Sequence, residues 1–233
     1  MKTRVLFVGG YGNGRRSMER VEEGFEGFGI DDMQAVTYSK MVSDPLKMAR
    51  LVREATLVGT HSAGAEVVCH GEVPPNCLVA YNPPIPRRRH QLVIAAFRAT
   101  GNMLSDGMHD KDKLWRAVEL AGSYALENAI HPIANFGKFV DGTIPNFDAR
   151  IVLPEIAEIT GEGSVTYVHT ESDEYFSPTT ADLDRIGNGG VKVMCLPGGH
   201  ARFLLEPNAV LRESNIKGML ERAVILMDRS SNR

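Results

Sequence analysis

Short, unbroken apolar runs alternate with amphipathic stretches along most of this chain, and that alternation constrains the fold more than any other feature. Residues 4–9 (RVLFVG) form the clearest run, which is typical of a strand buried on both faces. Further strands are predicted at residues 33–38, 56–60, 77–81, 164–170 and 191–196. Because parallel strands need crossover connections, the alternation predicts a three-layer α/β protein with a doubly wound, mostly parallel sheet of about six strands.

The stretches between these strands are predicted to be helices. Asp44 and Pro45 suit the N-cap and first position of a helix that runs to about Glu54. Other helices are predicted at residues 17–28, 88–100, 110–130, 154–159 and 179–186, and a C-terminal helix at 208–227. Between residues 83 and 150 no strand is predicted. We therefore interpret 83–150 as an insertion over the sheet, within a single domain that spans 1–233.

Composition excludes several classes of protein. A net charge of −3 in 233 residues gives no general attraction to nucleic acid or anionic lipid. The apolar runs are too short to cross a bilayer, and the first residues lack the long apolar stretch of a signal peptide. The three cysteines form no C-x-x-C motif, which favours a reducing compartment. We therefore expect a cytoplasmic protein with no membrane span and no nucleic-acid partner.

Three polar residues follow predicted strands at the positions where a doubly wound sheet carries its active-site groups. Ser62 lies between a strand and a helix, Asp173 follows the strand at 164–170, and His200 follows the last strand in a Gly-Gly-His sequence. A hydroxyl, an imidazole and a carboxylate in one place are the components of nucleophilic catalysis. The sequence therefore predicts one catalytic site at the carboxyl edge of the sheet.

The segment Thr60-His61-Ser62-Ala63-Gly64 resembles the nucleophile elbow G-x-S-x-G, with threonine at the first glycine position. With the chain order Ser, Asp, His, each after a strand, the sequence resembles the serine hydrolases of the α/β-hydrolase superfamily, of the esterase or lipase type. The resemblance covers the chain outside residues 83–150. It implies an α/β-hydrolase fold that lacks the usual first two strands and carries 83–150 as a helical cap.

The resemblance also implies a role for each residue. Ser62 would be the nucleophile, His200 the base and Asp173 its orienting acid, while the backbone N–H groups of Tyr11 and Ala63 would form the oxyanion hole. The expected activity is cleavage of a small-molecule carboxylic ester through an acyl-enzyme intermediate, with thioesters or amides as alternatives on the same triad. No metal and no organic cofactor is expected.

Other interpretations of these residues remain open. Glu171 and Glu174 compete with Asp173 as the acid, because the loop is short. His61 flanks the elbow and is interpreted as a packing or orienting residue. A nucleotide-binding α/β protein is the main alternative of another class, since glycines follow the first strand, but Arg15 occupies the third glycine position of the dinucleotide motif. A hydrolase fold used only for binding is a further alternative.

Overall fold

The computed structural model describes residues 3–10, 13–30, 32–71, 73–86, 111–130 and 147–231. Its six strands are β1 (Val5–Val8), β2 (Met33–Val36), β3 (Leu57–His61), β4 (Leu78–Tyr81), β5 (Val165–Ser172) and β6 (Lys192–Gly199). The helices within the described ranges are α1 (Arg15–Glu26), α2 (Tyr38–Ser43), α3 (Pro45–Glu54), α4 (Gly64–Cys69), α5 (Lys111–Ile130), α6 (Ala149–Thr160), α7 (Thr180–Asn188), α8 (Arg202–Leu205), α9 (Pro207–Glu213) and α10 (Ile216–Ser231).

The strands form one sheet in the order β2-β1-β3-β4-β5-β6, and every neighbouring pair is parallel. From β1 the chain first moves outward to β2 and then returns to add β3 on the other side of β1. The loops after β1 and β3 therefore diverge, and such a switch point opens a crevice at the carboxyl edge of the sheet. The predicted doubly wound sheet of six strands is confirmed.

Alternate residues of each strand point into two separate hydrophobic cores, as expected for a pleated sheet covered on both sides. In β1, Leu6 and Val8 belong to one core, which packs against α3, α4 and α6. Val5 and Phe7 belong to the other core, which packs against α1, α9 and α10. All four side chains are at most 1% exposed. The three-layer arrangement predicted from the sequence is therefore present.

The C-terminal segment differs from its prediction. The single helix predicted at 208–227 is wrong, because α9 ends at Glu213 and α10 begins at Ile216. Between them Asn215 adopts a left-handed conformation with φ of +56°, which ends a helix, and asparagine tolerates it better than most residues. The buried Ser214 hydroxyl lies 3.0 Å from the hydroxyl of Tyr81, so the break is tied to the end of β4.

Only part of the predicted cap falls within the described residues. The helix predicted at 110–130 is present as α5, whereas the helix predicted at 88–100 lies outside the described residues, as do 131–146. Glu119 of α5 forms ion pairs with Arg16, at 2.6 Å, and with Arg20 on α1, and Arg116 donates a hydrogen bond of 2.9 Å to the carbonyl of Leu205 on α8. Helix α5 is therefore docked on the face of the sheet that carries α1 and α8. None of the helices within the described ranges is long and apolar enough to span a membrane.

Candidate active site

Ser62 lies in the tight turn between β3 and α4 and has a φ of +53°, a left-handed conformation that non-glycine residues rarely adopt. Its N–H donates a hydrogen bond of 2.9 Å to the carbonyl of Tyr81, the last residue of β4, so the start of the turn is bonded to the neighbouring strand. Its carbonyl accepts a hydrogen bond of 3.2 Å from the N–H of Ala65. A strained backbone of this kind persists only where the surrounding structure holds it in place, and such residues are concentrated at functional sites. The turn has the backbone form of a nucleophile elbow.

Two glycines allow the chain to approach closely around Ser62. A Cβ on Gly64 would overlap the carbonyl oxygen of Val8 and lie 2.9 Å from that of Gly9, so α4 begins directly against the end of β1. A Cβ on Gly10 would lie 2.8 Å from the Cβ of Ser62. The loop after β1 is therefore in contact with the turn that carries Ser62. Tyr11, the residue expected to supply one oxyanion-hole amide, lies outside the described residues, whereas Ala63 lies at the N-cap of α4.

The close approach at Gly64 gives a stability prediction. We expect Gly64→Ala to lower the free energy of unfolding by about 2–3 kcal/mol, because the added methyl group meets backbone atoms that cannot rotate away. Gly122→Ala is the matched control: it lies within α5, with no atom within 4 Å of the added carbon, and should stabilise by about 0.5–1 kcal/mol. Urea unfolding of both variants measures the difference. Equal stabilities would contradict the close contact between α4 and β1.

Asp173 and His200 form a buried hydrogen-bonded pair. His200 Nδ1 lies 3.0 Å from Asp173 Oδ1, and the two residues are 9% and 4% exposed. The same carboxylate oxygen accepts hydrogen bonds from the backbone N–H groups of Tyr175, at 2.8 Å, and Phe176, at 3.0 Å. Because a carboxylate only accepts, Nδ1 of His200 is the protonated nitrogen, and Nε2 of the neutral ring is left as the basic one.

The charge of Asp173 follows from its surroundings. Burial by itself would raise the pKa of this carboxyl, but His200 and the two backbone N–H donors outweigh burial, so the pKa is lowered from its ordinary value. Asp173 is therefore ionised at neutral pH and can stabilise a positive charge on the imidazole of His200.

Glu66, in the first turn of α4, differs: burial raises the pKa of its carboxyl to about 7, so it is only partly ionised near the elbow.

The two competing acids occupy other positions. Glu171 lies in β5 with its side chain exposed. Glu174 accepts a hydrogen bond of 3.1 Å from the backbone N–H of His200. The ring of His200 is bonded to Asp173, at 3.0 Å, whereas Glu174 bonds its backbone N–H.

The ring of His200 is enclosed by other rings. The centroid of Tyr175 lies 4.8 Å away, that of Phe176 5.4 Å away at an angle of 67°, and that of His61 5.0 Å away. Since Ser62 directly follows His61, the His61 contact brings the elbow and His200 to the same edge of the sheet. Tyr175 and Phe176 therefore act twice: their rings limit the movement of the imidazole, and their backbone N–H groups bond Asp173.

Sequence reasoning did not single out Asn82, which directly follows the strand predicted at 77–81. Asn82 is 2% exposed and has a φ of +46°. Its amide nitrogen lies 3.3 Å from the carbonyl oxygen of His200, and its amide oxygen accepts a hydrogen bond of 2.9 Å from the N–H of Thr170. The Asn-Pro-Pro sequence after a strand was the available signal, because asparagine is a common residue at left-handed positions.

Within the part of the chain that the structure describes, no group of three or more His, Cys, Asp or Glu side chains could hold a metal ion.

Solved structures provide the comparison for this architecture. No protein-family model matches the chain, and no curated protein sequence matches it. A thermophilic esterase from Thermogutta terrifontis is similar to it with a TM-score of 0.61 and 12% identity, over 95% of this chain and 90% of the esterase. A hydrolase from Oleispira antarctica gives a TM-score of 0.58 and 13% identity, over 94% and 91%. The thioesterase domain from the curacin biosynthetic pathway gives 0.53 and 14%, over 97% and 91%.

These similarities concern the fold, because sequence identities of 12–14% carry no more than that. The chain has the α/β-hydrolase fold, with a parallel sheet of six strands, as the sequence resemblance implied. The activity depends on the residues of the site and not on the fold.

Proposed function

We propose that this chain is a serine hydrolase that cleaves a carboxylic ester, with Ser62 as nucleophile, His200 as general base and Asp173 as the acid that orients it. The observation that carries the proposal is the combination of a left-handed serine at the β3–α4 turn and a buried His200–Asp173 pair at the same sheet edge. An ordinary N-cap serine needs neither the strained backbone nor the buried pair.

In the acylation step, Ser62 Oγ attacks the ester carbonyl carbon while His200 Nε2 takes the hydroxyl proton. The new C–O bond forms a tetrahedral intermediate, and the carbonyl electron pair moves onto oxygen. Asp173 stabilises the imidazolium through the 3.0 Å hydrogen bond to Nδ1. His200 then gives the proton to the leaving alcohol as the ester C–O bond breaks, which leaves the acyl group on Ser62.

Stabilisation of the oxyanion is assigned to backbone donors. The N–H of Ala63 precedes the first hydrogen-bonded turn of α4, where Ala65 and Glu66 donate to the carbonyls of Ser62 and Ala63. The second donor is proposed to be the N–H of Tyr11, and its neighbour Gly10 contacts Ser62. Each such donor contributes roughly 3–4 kcal/mol to lowering the barrier.

In the deacylation step, a water molecule attacks the acyl carbon as His200 removes its proton, and Ser62 leaves with that proton restored. Every step uses side chains and amides of this chain. The proposed substrate is a small-molecule carboxylic ester. Esterase and thioesterase structures both share the fold, and thioester or amide cleavage would use the same three residues.

A fluorophosphonate probe tests the proposal, because it phosphonylates an activated serine. We expect one adduct on the intact protein, located by peptide mass spectrometry at Ser62, and a pre-steady-state burst of nitrophenol from nitrophenyl acetate. An adduct on another residue would reject the assignment of Ser62. The absence of both adduct and burst would reject the serine hydrolase.

A further inference from the structure

His61 is a buried histidine that the proposed triad does not use. It is the last residue of β3, directly before Ser62, and is 2% exposed. Its Nε2 lies 3.0 Å from the backbone carbonyl oxygen of His200, which lies in the turn between β6 and α8. Because a carbonyl oxygen only accepts, Nε2 of His61 must carry the proton and donate it.

The charge state of His61 is compatible with this single role. Burial, with a smaller contribution from nearby His200, lowers the pKa of His61 to about 3. The ring therefore stays neutral when His200 becomes charged. Its other nitrogen, Nδ1, is buried and has no hydrogen-bond partner among the described residues. Because Nδ1 is buried among the described residues and Nε2 is already donating to a carbonyl, His61 acts as a fixed donor.

The carbonyl of His200 receives a second hydrogen bond, from the amide nitrogen of Asn82 at 3.3 Å. Asn82 is fixed in turn by the N–H of Thr170, so the ends of β3, β4 and β5 all connect to one carbonyl. Glu174 holds the N–H of the same residue at 3.1 Å. Both polar groups of the His200 backbone are thus bonded to side chains.

We infer that His61, together with Asn82, is a positioning residue that fixes the backbone of His200 through its carbonyl, so that the imidazole stays aligned between Asp173 and Ser62. The inference rests on the proposed function for its effect on rate. Its geometric part, the donor role of His61, stands on the distances alone. An apolar side chain would fill the same space without a buried unpaired nitrogen, so packing by itself does not account for a histidine here.

The test compares two replacements of the donor. In His61→Gln the amide nitrogen can occupy the position of Nε2 and donate to the carbonyl of His200, whereas His61→Leu fills the space without a donor. We expect the leucine variant to fold, with a melting temperature near that of the wild type, because Asn82 still satisfies the carbonyl. Its kcat for nitrophenyl acetate should fall by on the order of 10²-fold with little change in KM, since the imidazole is misplaced but the pocket is not.

A readout independent of activity completes the test. Long-range ¹H–¹⁵N spectra of histidine-labelled protein, assigned with the variants, should show His61 neutral with its proton on Nε2 from pH 5 to 8, and His200 protonated on Nδ1. The glutamine variant should keep the spectral signal of the His200 ring protonated on Nδ1 and most of kcat. The leucine variant should lose both. His70→Leu, at the C-cap of α4, is the matched control and should change neither.

Either of two results would overturn the inference: a leucine variant with wild-type kcat and an unchanged His200 signal, or a glutamine variant as impaired as the leucine variant in both. If the wild type neither hydrolyses esters nor reacts with the probe, the proposed function fails while the spectra still decide the positioning role. A His61 proton on Nδ1 would reject the role in that case, and one on Nε2, with a His200 signal lost only in the leucine variant, would support it.

Discussion

Replacing Ser62 with alanine is expected to lower ester hydrolysis by on the order of 10⁴- to 10⁶-fold and to abolish labelling by the fluorophosphonate probe. The physical reason is that the variant has no oxygen to form the acyl-enzyme, while Asp173, His200 and the backbone donors remain. Residual catalysis then comes only from the oxyanion donors and substrate binding. Measurement of kcat/KM with nitrophenyl acetate checks the loss.

Stability reports on the strained backbone at Ser62, and hydrolysis reports on its role as nucleophile. Alanine keeps the strained φ of +53°, whereas glycine adopts that conformation without steric cost. We therefore expect Ser62→Gly to be more stable than Ser62→Ala by about 1 kcal/mol in urea unfolding, and equally inactive. Retention of hydrolysis above one tenth of wild type in either variant would remove Ser62 from the mechanism.

Asp173→Asn is expected to lower kcat by on the order of 10³- to 10⁴-fold. Asn keeps the size of the side chain but has no negative charge to stabilise the imidazolium of His200, and its amide favours the wrong tautomer of the ring. The effect should be on kcat more than on KM, because the 3.0 Å bond is to the base and not to the substrate. Steady-state kinetics with a single ester give both constants.

Glu174→Gln is the matched control for that variant. Its amide oxygen can still accept the hydrogen bond from the N–H of His200, so kcat should stay within about threefold of wild type, a barrier change below 1 kcal/mol. A larger loss in Glu174→Gln than in Asp173→Asn would assign the acid to Glu174 instead.

Asp173→Asn also differs from the wild type in how its stability depends on pH. Because the pKa of Asp173 is lowered in the folded state, ionised Asp173 contributes stability above its ordinary pKa of 3.8, and this contribution is lost as the pH falls through the lower folded value. The melting temperature of the wild type should therefore exceed that of Asp173→Asn at pH 7, and the difference should shrink below pH 3.8. A difference that does not depend on pH would mean that the carboxyl is already neutral in the folded protein.

Most of the fold could be predicted because its signals are local. The run in β1 is apolar at every position, so it was predicted to be a strand covered on both faces. Asp44 is the predicted N-cap of α3, and its carboxylate accepts a hydrogen bond of 3.0 Å from the N–H of Lys47. The prediction of one helix at 208–227 was wrong because the break in it is not a local feature. The helical pattern of that segment continues across Ser214 and Asn215, whereas in the structure the break lies where Ser214 bonds Tyr81, which is 133 residues away in the sequence.

The candidate site, like the fold, was predicted from the sequence only where its signals are local. Ser62, Asp173 and His200 were recognisable because each follows a strand, and strand ends of a parallel sheet meet at one edge. Which acid reaches the imidazole was open, since a shift of one residue along the loop exchanges Asp173 for Glu174. Their catalytic roles remain proposals for the experiments above.

The sequence by itself determined the parallel sheet, the order of its elements and the three candidate residues, because periodicity, capping and strand ends are properties of neighbouring residues. Only the tertiary structure decided that Asp173 bonds the ring of His200, that Glu174 bonds its backbone, and that His61 and Asn82 converge on its carbonyl. Those contacts join the ends of β3, β4, β5 and β6. The register and packing of separate strands set such distances, and no local pattern in the chain encodes them.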